Sequence, residues 1–287
     1  MKQRFGVHAS IAGGLHNALL AGTRLGCDCL QIFVKNQRQW RAAPLTDQQV
    51  DAWKRTWAEN PCEPVVAHGT YLVNLAARDR AIRGRSVRCC ADEVRRSAAL
   101  GLAGLITHPG SHGGAGESRG IRRIIASLRE ILDRTADCRT QVLLEATAGQ
   151  GTSLGHRFEH LAEMIAGAGG GRRLGVCLDT CHLHAAGYDL ATRDGYETMI
   201  ADLLRNRLLE RVRCIHFNDS LTPAGSRVDR HTHIGMGTIG REGFRRLLRD
   251  KRLLHVPRIL ETPKGLAPDG REYDAANLEA LRRLAGK

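Results

Sequence analysis

Val142-Leu143-Leu144-Glu145 is a short aliphatic run that stops on a carboxylate. The same form recurs on both sides of it. Val65-Val66-Ala67-His68 and Leu105-Ile106-Thr107-His108 precede it; Val176-Cys177-Leu178-Asp179, Cys214-Ile215-His216 and Ile259-Leu260-Glu261 follow. Apolar runs of this length, bounded by Gly, Pro or polar residues, read as strands buried on both faces, as in a parallel sheet. Each of the six ends on a residue able to bind a metal, and the C-terminal ends of parallel barrel strands are where such folds keep their chemistry.

Amphipathic stretches of helical length lie between the runs. Strands centred on Val7, Ile32, Val66, Ile106, Leu143, Cys177, Ile215 and Ile259 alternate with helices expected over 15–25, 47–59, 87–100, 121–136, 158–166, 196–209, 244–252 and 275–284. Thr46 and Asp274 stand where N-caps belong. About eight such units predict an α/β chain: one (β/α)8 TIM barrel over residues 1–287, its metal site at the C-terminal face of the strands. No Pro/Ser-rich linker or low-complexity tract marks a second domain. A doubly wound open sheet would need no eighth strand and usually carries a Gly-rich phosphate loop after its first strand, for which Ala12-Gly13-Gly14 is too short.

Side-chain alternation places the residue two before each strand-end donor on the same face of its strand. Those residues, Val66, Ile106, Leu143, Cys177, Cys214 and Ile259, are suited to fill the barrel interior beneath inward-pointing donors. A lone His or Asp at a strand end is more often a cap or a loop hydrogen-bonding group, but six in one register point to a metal centre. Three more donors come from the loops after the sixth and seventh strands: His182 in Leu-Asp-Thr-Cys-His, and Asp229 with either His231 or His233 in Gly-Ser-Arg-Val-Asp-Arg-His-Thr-His. Histidine and carboxylate without thiolate suit zinc or manganese, and shared carboxylates allow a multinuclear site.

Composition bounds the function. The hydrophobic fraction of 42% supports a sizeable core, while aromatics reach only 4%, so Trp40, Trp53, Trp57 and Tyr71 stand out. No apolar run approaches the length of a membrane span and no secretory signal opens the chain, so neither membrane insertion nor export is expected. Nine cysteines, an odd number spread along the chain, read as the reduced thiols of a cytoplasmic protein. Cys27-x-Cys29 and Cys89-Cys90 read as structural, and only Cys181, beside His182, stays open as a ligand or a ligand's neighbour. No motif for an organic cofactor is present.

A net charge of +13 suggests a polyanionic partner. Many arginines, among them Arg122, Arg123, Arg245, Arg246, Arg249, Arg282 and Arg283, fall on helices expected to face outward, where compositional bias explains them equally well. The informative ones lie in loops over the C-terminal face: Lys35, Arg38 and Arg41 around Trp40, and Arg227 and Arg230 beside Asp229. Basic residues interleaved with an aromatic suit phosphate contacts combined with base stacking or insertion.

Eight segments carry a resemblance to a known family. They are Lys35-Asn36-Gln37-Arg38-Gln39-Trp40, His68-Gly69-Thr70-Tyr71-Leu72-Val73-Asn74-Leu75, His108-Pro109-Gly110-Ser111, Leu144-Glu145-Ala146-Thr147-Ala148-Gly149-Gln150-Gly151, Cys177-Leu178-Asp179-Thr180-Cys181-His182, His216-Phe217-Asn218-Asp219-Ser220, Asp229-Arg230-His231 and Leu260-Glu261-Thr262-Pro263. In this order, over nearly the whole chain, they resemble the endonuclease IV family of apurinic/apyrimidinic endonucleases. The resemblance implies a (β/α)8 barrel with three zinc ions, manganese being possible at some positions, that hydrolyses duplex DNA 5′ to an abasic site. It implies one ion on His68, His108 and Glu145, a second on Glu145, Asp179, His216 and Glu261, and a third on His182, Asp229 and His231, choosing His231 over His233. It also matches Arg38 and Tyr71 to side chains pushed into the duplex at the flipped-out sugar. Gly69, Thr70, Thr232-His233 and Lys264 depart from the family pattern without removing a ligand; Lys264 reads as a solvated side chain rather than an added phosphate contact.

The chemistry follows on general grounds. Phosphodiester hydrolysis needs a nucleophile at neutral pH, neutralised phosphate oxygens and a stabilised leaving alkoxide, all of which metal ions can supply. Glu145, shared between ions, and Glu261, a ligand that also orients the attacking water, are the expected catalytic carboxylates. The products would be a 3′ hydroxyl and a 5′ deoxyribose phosphate, with 3′ phosphatase or diesterase side activities, and selectivity would arise because an unpaired nucleotide costs less to flip. A single DNA-sized site accords with a monomer. The competing readings are a sugar isomerase or epimerase on the same barrel, with fewer metals and a closed pocket, and a damage-binding protein without turnover.

Overall fold

The computed structural model describes residues 3–286. Eight parallel strands close a barrel: β1 (Phe5–His8), β2 (Cys29–Phe33), β3 (Val65–His68), β4 (Gly104–Thr107), β5 (Gln141–Glu145), β6 (Leu174–Asp179), β7 (Val212–His216) and β10 (Arg258–Leu260), with β1 pairing β10 to complete the ring. All eight expected strand centres fall in these strands. Two short segments, β8 (Asp219–Ser220) and β9 (His231–Thr232), pair antiparallel outside the barrel.

The helices are α1 (Asn17–Arg24), α2 (Asp47–Glu59), α3 (Arg80–Ala99), α4 (Glu117–Arg134), α5 (Phe158–Gly167), α6 (Thr180–Ala186), α7 (Arg193–Arg205), α8 (Gly240–Arg249) and α9 (Tyr273–Leu284). Thr46 caps α2 as expected: its hydroxyl accepts the Gln49 N–H while the Gln49 side chain accepts the Thr46 N–H, a reciprocal capping box. The expectation for Asp274 needs correcting. The N-cap of α9 is Glu272, and Asp274 sits in the first turn, where its carboxylate accepts the Lys264 ammonium at 2.7 Å. Helix α3 starts at Arg80 rather than 87, because the Asp79 carboxylate accepts the Ala81 and Ile82 N–H groups and the added turns are largely basic and polar. Helix α6 follows β6 without a loop, Asp179 acting as its cap through the His182 N–H.

Inside the barrel, Cys29, Val66, Ile106, Leu143, Cys177, Cys214 and Ile259 form a cluster separate from the larger core between strands and helices. Six of the seven are the residues that alternation placed beneath the donors. Leu143 occupies its place because β4 and β6 offer glycines to it: a Cβ on Gly104 would lie 2.9 Å from Leu143 Cδ1, and one on Gly175 would lie 2.7 Å from Leu143 Cδ2. This apolar plug closes the barrel from below and leaves the chemistry to the rim above. Among the described residues no helix is long and apolar enough to cross a membrane, and all nine cysteines are free.

Candidate metal centre

The donors that end the strands converge on Glu145, which is fully buried at the end of β5. Its Oε2 lies 3.1 Å from His68 Nε2 and 3.1 Å from His108 Nε2; its Oε1 lies 3.0 Å from His216 Nδ1 and 3.4 Å from His182 Nδ1. His216 Nδ1 is also 3.1 Å from Glu261 Oε2 and 3.7 Å from Asp179 Oδ2. Beside these, Asp229 bridges His182 Nε2 at 3.1 Å and His231 Nε2 at 3.2 Å, and His231 Nε2 comes within 3.6 Å of Asp179. All nine expected ligands therefore meet at one barrel mouth. Donor atoms of His68, His108 and Glu145, and those of His182, Asp229 and His231, each fit within 4.8 Å of one another.

His233 faces elsewhere. Its ring stacks on Tyr273 at 3.6 Å and meets Asn277 Nδ2 at 3.1 Å, so the loop presents His231 to the centre. Cys181 Sγ reaches 3.9 Å from Asp229 Oδ1. Burial, and then the Asp179 carboxylate, push its thiol up to about 12, so it remains protonated beside the centre.

Backbone carbonyls orient the imidazoles. His68 Nδ1 meets the Gly69 carbonyl at 2.7 Å, His182 Nδ1 that of Ala146 at 2.9 Å and His231 Nδ1 that of Glu261 at 3.3 Å. A carbonyl only accepts, so each Nδ1 carries a hydrogen and Nε2 is turned to the carboxylates, the arrangement that holds a metal-binding imidazole in place. Burial alone would raise Glu145 and Glu261, yet the imidazoles around them, His108 and His216 for Glu145 and His216 for Glu261, hold both well below the usual carboxylate range. The site thus combines buried carboxylates and several imidazoles, with His231 Nε2 buried and facing the Asp229 and Asp179 carboxylates at 3.2 and 3.6 Å. A divalent cation fits that donor set.

Three residues that sequence reasoning missed complete the arrangement. His8 Nδ1 lies 3.0 Å from Glu261 Oε1, and the Gln31 amide donates to the same oxygen while its Oε1 meets His216 Nε2 at 2.8 Å. Asn218 donates to Asp179 Oδ2 at 2.6 Å and accepts the Glu261 N–H at 2.8 Å. His8 was detectable, since Phe5–His8 is another short run ending on a donor. Gln31 is the lone polar residue inside the apolar run of β2.

The residues expected to touch DNA divide. Tyr71 stands at the mouth, 63% exposed, its ring edge-on to Phe33 and tilted against His68. Partial desolvation of the phenol where it leans over the rim, with the Glu261 and Glu145 carboxylates nearby, raises its pKa to about 12. Arg38, Arg227 and Arg230 are exposed, and Arg230 turns back to donate to the Asp229 carbonyl at 2.8 Å. Trp40 is half-buried against the main core. Lys35 is a correction. Its side chain is buried, with the ammonium 3.2 Å from the Trp40 carbonyl, Cys89 Sγ and Asp92 Oδ2, so it faces the interior and not a phosphate. Lys264 is spent on Asp274. Arg123, expected far from the mouth, donates to the Ala76 carbonyl in the loop after β3.

A separate group, Glu117 with His156 and His160, also brings three donors together. There the Arg157 guanidinium sits 3.1 Å from Glu117 and 2.9 Å from His160, supplying the positive charge itself.

A family model described as Xylose isomerase-like TIM barrel matches residues 20–284. A probable endonuclease 4 from Chloroflexus aurantiacus is 46% identical over 281 residues, covering 98% of each chain. Another from Geobacter sulfurreducens is 45% identical, covering 99% of this chain and 95% of its own. The crystal structure of endonuclease IV from Thermus thermophilus superposes with a TM-score of 0.86 at 39% identity, covering 99% of both chains. A D-tagatose 3-epimerase-like protein superposes with a TM-score of 0.74 at 18% identity, a likeness of fold alone.

Proposed function

We propose, because this chain belongs to the endonuclease IV family, that it is an apurinic/apyrimidinic endonuclease of DNA repair. Its substrate is duplex DNA carrying an abasic site, cut 5′ to the lesion to leave a 3′ hydroxyl and a 5′ deoxyribose phosphate. Supporting this above all is Glu145, a fully buried carboxylate whose two oxygens face four imidazoles at an open rim.

Three zinc ions suit the donors, with manganese as the alternative: one on His68, His108 and Glu145, one on Glu145, Asp179, His216 and Glu261, one on His182, Asp229 and His231. When bound, such ions supply a nucleophile at neutral pH and neutralise phosphate charge. The chain's own residues do the rest. Glu145 ties the first two ligand sets together, and Glu261, fixed by His8, Gln31 and Asn218, aligns the attacking water. Exposed Tyr71 and Arg38 enter the duplex at the flipped-out nucleotide, and Arg227 and Arg230 meet the backbone, so a nucleotide without a base is admitted at the lowest cost. The same centre serves 3′ phosphatase and diesterase side reactions. The protein works as a monomer in the cytoplasm, in keeping with nine free thiols.

Cleavage of a duplex with one tetrahydrofuran abasic analogue, without added magnesium, tests this reading. The analogue cannot undergo β-elimination, so a nick 5′ to it that a polymerase extends establishes hydrolysis. No nick from protein shown to contain its metals would overturn the reading and make sugar phosphates the next substrates to try.

A further inference from the structure

Lys35 and Glu93 are, among the described residues, the one pairing of a lysine or arginine with a carboxylate in which both side chains are buried, 1% and 2% exposed, with Nζ 3.8 Å from Oε1. Each holds a different loop. The Lys35 ammonium donates to the Trp40 carbonyl at 3.2 Å, closing the loop after β2 that carries Arg38. Glu93, on α3, accepts the Thr70 N–H at 3.0 Å in the loop after β3 that carries Tyr71. The Thr70 hydroxyl donates to the Gln37 carbonyl, so the two loops also touch directly. Asp92 and Cys89 brace the ammonium, each at 3.2 Å.

Stability does not account for this pair. A buried ion pair is commonly matched or bettered by apolar residues of similar size, and here Glu93 Oε2 is buried without a hydrogen-bond partner. What the pair does supply is a fixed spacing between two exposed side chains on separate loops. We propose that Lys35 and Glu93 form a joint that holds Arg38 and Tyr71 in register with each other, so that both are positioning residues for recognition of abasic DNA. This rests on the reading of Arg38 and Tyr71 as side chains that enter the duplex.

The double variant Lys35→Met/Glu93→Gln removes both charges at nearly constant volume and keeps an acceptor for Thr70. It should melt at or above the wild-type temperature and retain its metal, yet raise KM for abasic duplex roughly tenfold while kcat stays within about twofold, since a misplacement of about 1 Å far from the chemistry is costly. Adding Arg38→Ala should cost less on this background than in the wild type, because its placement has already been lost. An unchanged KM, or an Arg38→Ala penalty of the same size on both backgrounds, would overturn the joint. Lys35→Met alone leaves the Glu93 carboxylate buried and unpaired and should melt lower than the double variant; an equal melting temperature would mean that the two groups are not coupled. Hydrogen exchange separates this idea from the reading it rests on. Whether or not the wild type cuts abasic DNA, the double variant should loosen residues 36–42 and 69–74 together, and loosening of one loop alone would count against the joint.

Discussion

At the scale of single residues, Glu261 is held at both its carboxylate and its backbone. His8, Gln31 and the His216 ring all reach its carboxylate, and Asn218 holds its backbone N–H. Glu261→Gln keeps the shape and removes the charge, so the protein should stay folded while single-turnover cleavage of abasic duplex falls by about 10²-fold or more. Metal content measured alongside separates loss of chemistry from loss of ions, and near-normal cleavage would remove Glu261 from the mechanism. His231 and His233 offer a sharper contrast, being two residues apart in one loop. His231→Ala should lose one equivalent of bound metal, whereas His233→Ala, which loses a stack on Tyr273 and a contact with Asn277, should keep full metal and lose only a little stability. Metal analysis of both variants decides, and a reversed result would mean that the loop register is wrong. Six of the nine proposed ligands were legible because a donor ending an apolar run is visible in one dimension; His182 and Asp229 stood out in the loops after the sixth and seventh strands, and His231 was chosen over His233 by the family resemblance alone. Lys35 was misread because sequence shows its charge but not the pocket made by Cys89, Asp92 and Glu93, which α3 brings to it from another part of the chain. Gln31 and Asn218 escaped because amides are seldom ligands, and their role exists only once the barrel closes and brings β2, β7 and β10 to one rim.

At the scale of elements, strands were legible and irregular pieces were not. The eight barrel strands announce themselves as apolar runs, and Leu143 opposite Gly175 shows how their registers lock. Gly175→Ala places a methyl group 2.7 Å from Leu143 Cδ2 and 3.1 Å from the Arg211 carbonyl. A full barrel interior cannot give way on both sides, so the substitution should destabilise by about 1–3 kcal/mol. Urea unfolding measures it, and an unchanged midpoint would mean that the interior is looser than its contacts suggest. Helix α6 was invisible because Thr180 through Ala185 are all buried, which erases the polar face that marks a helix in sequence. The pair β8–β9 is two residues long on each side, below what any period can register, although it sets His231 against the rim. The early start of α3 was missed for the converse reason, since its first turns have no apolar period for a core to impose.

At the scale of the molecule, barrel closure puts protons and cations in competition for one set of atoms. Burial works against protonating His68, His182, His216 and His231, yet the surrounding carboxylates outweigh it and hold all four above the usual imidazole range, His231 at about 9. In metal-free protein, a folded-state value raised above the unfolded value of about 6.5 contributes stability that is full below that pH and is lost as the pH rises through the folded value. The depressed carboxylates Glu145, Glu261 and Asp229 contribute above their unfolded values near ~4 and so add nothing variable in this window. Chelated protein should therefore melt at a lower temperature near pH ~9 than near pH ~6.5. Metal binding reverses the slope, because a cation needs the imidazoles deprotonated and its binding releases their protons. The melting temperature of zinc-loaded protein minus that of chelated protein should thus widen steadily across the same interval. Scanning calorimetry of both forms in matched buffers reads the two slopes independently. A difference that stayed flat with pH would show that the bound cation does not use these imidazoles, and chelated protein that gained stability on the way up would show that the carboxylates do not hold the imidazoles' protons as the geometry requires.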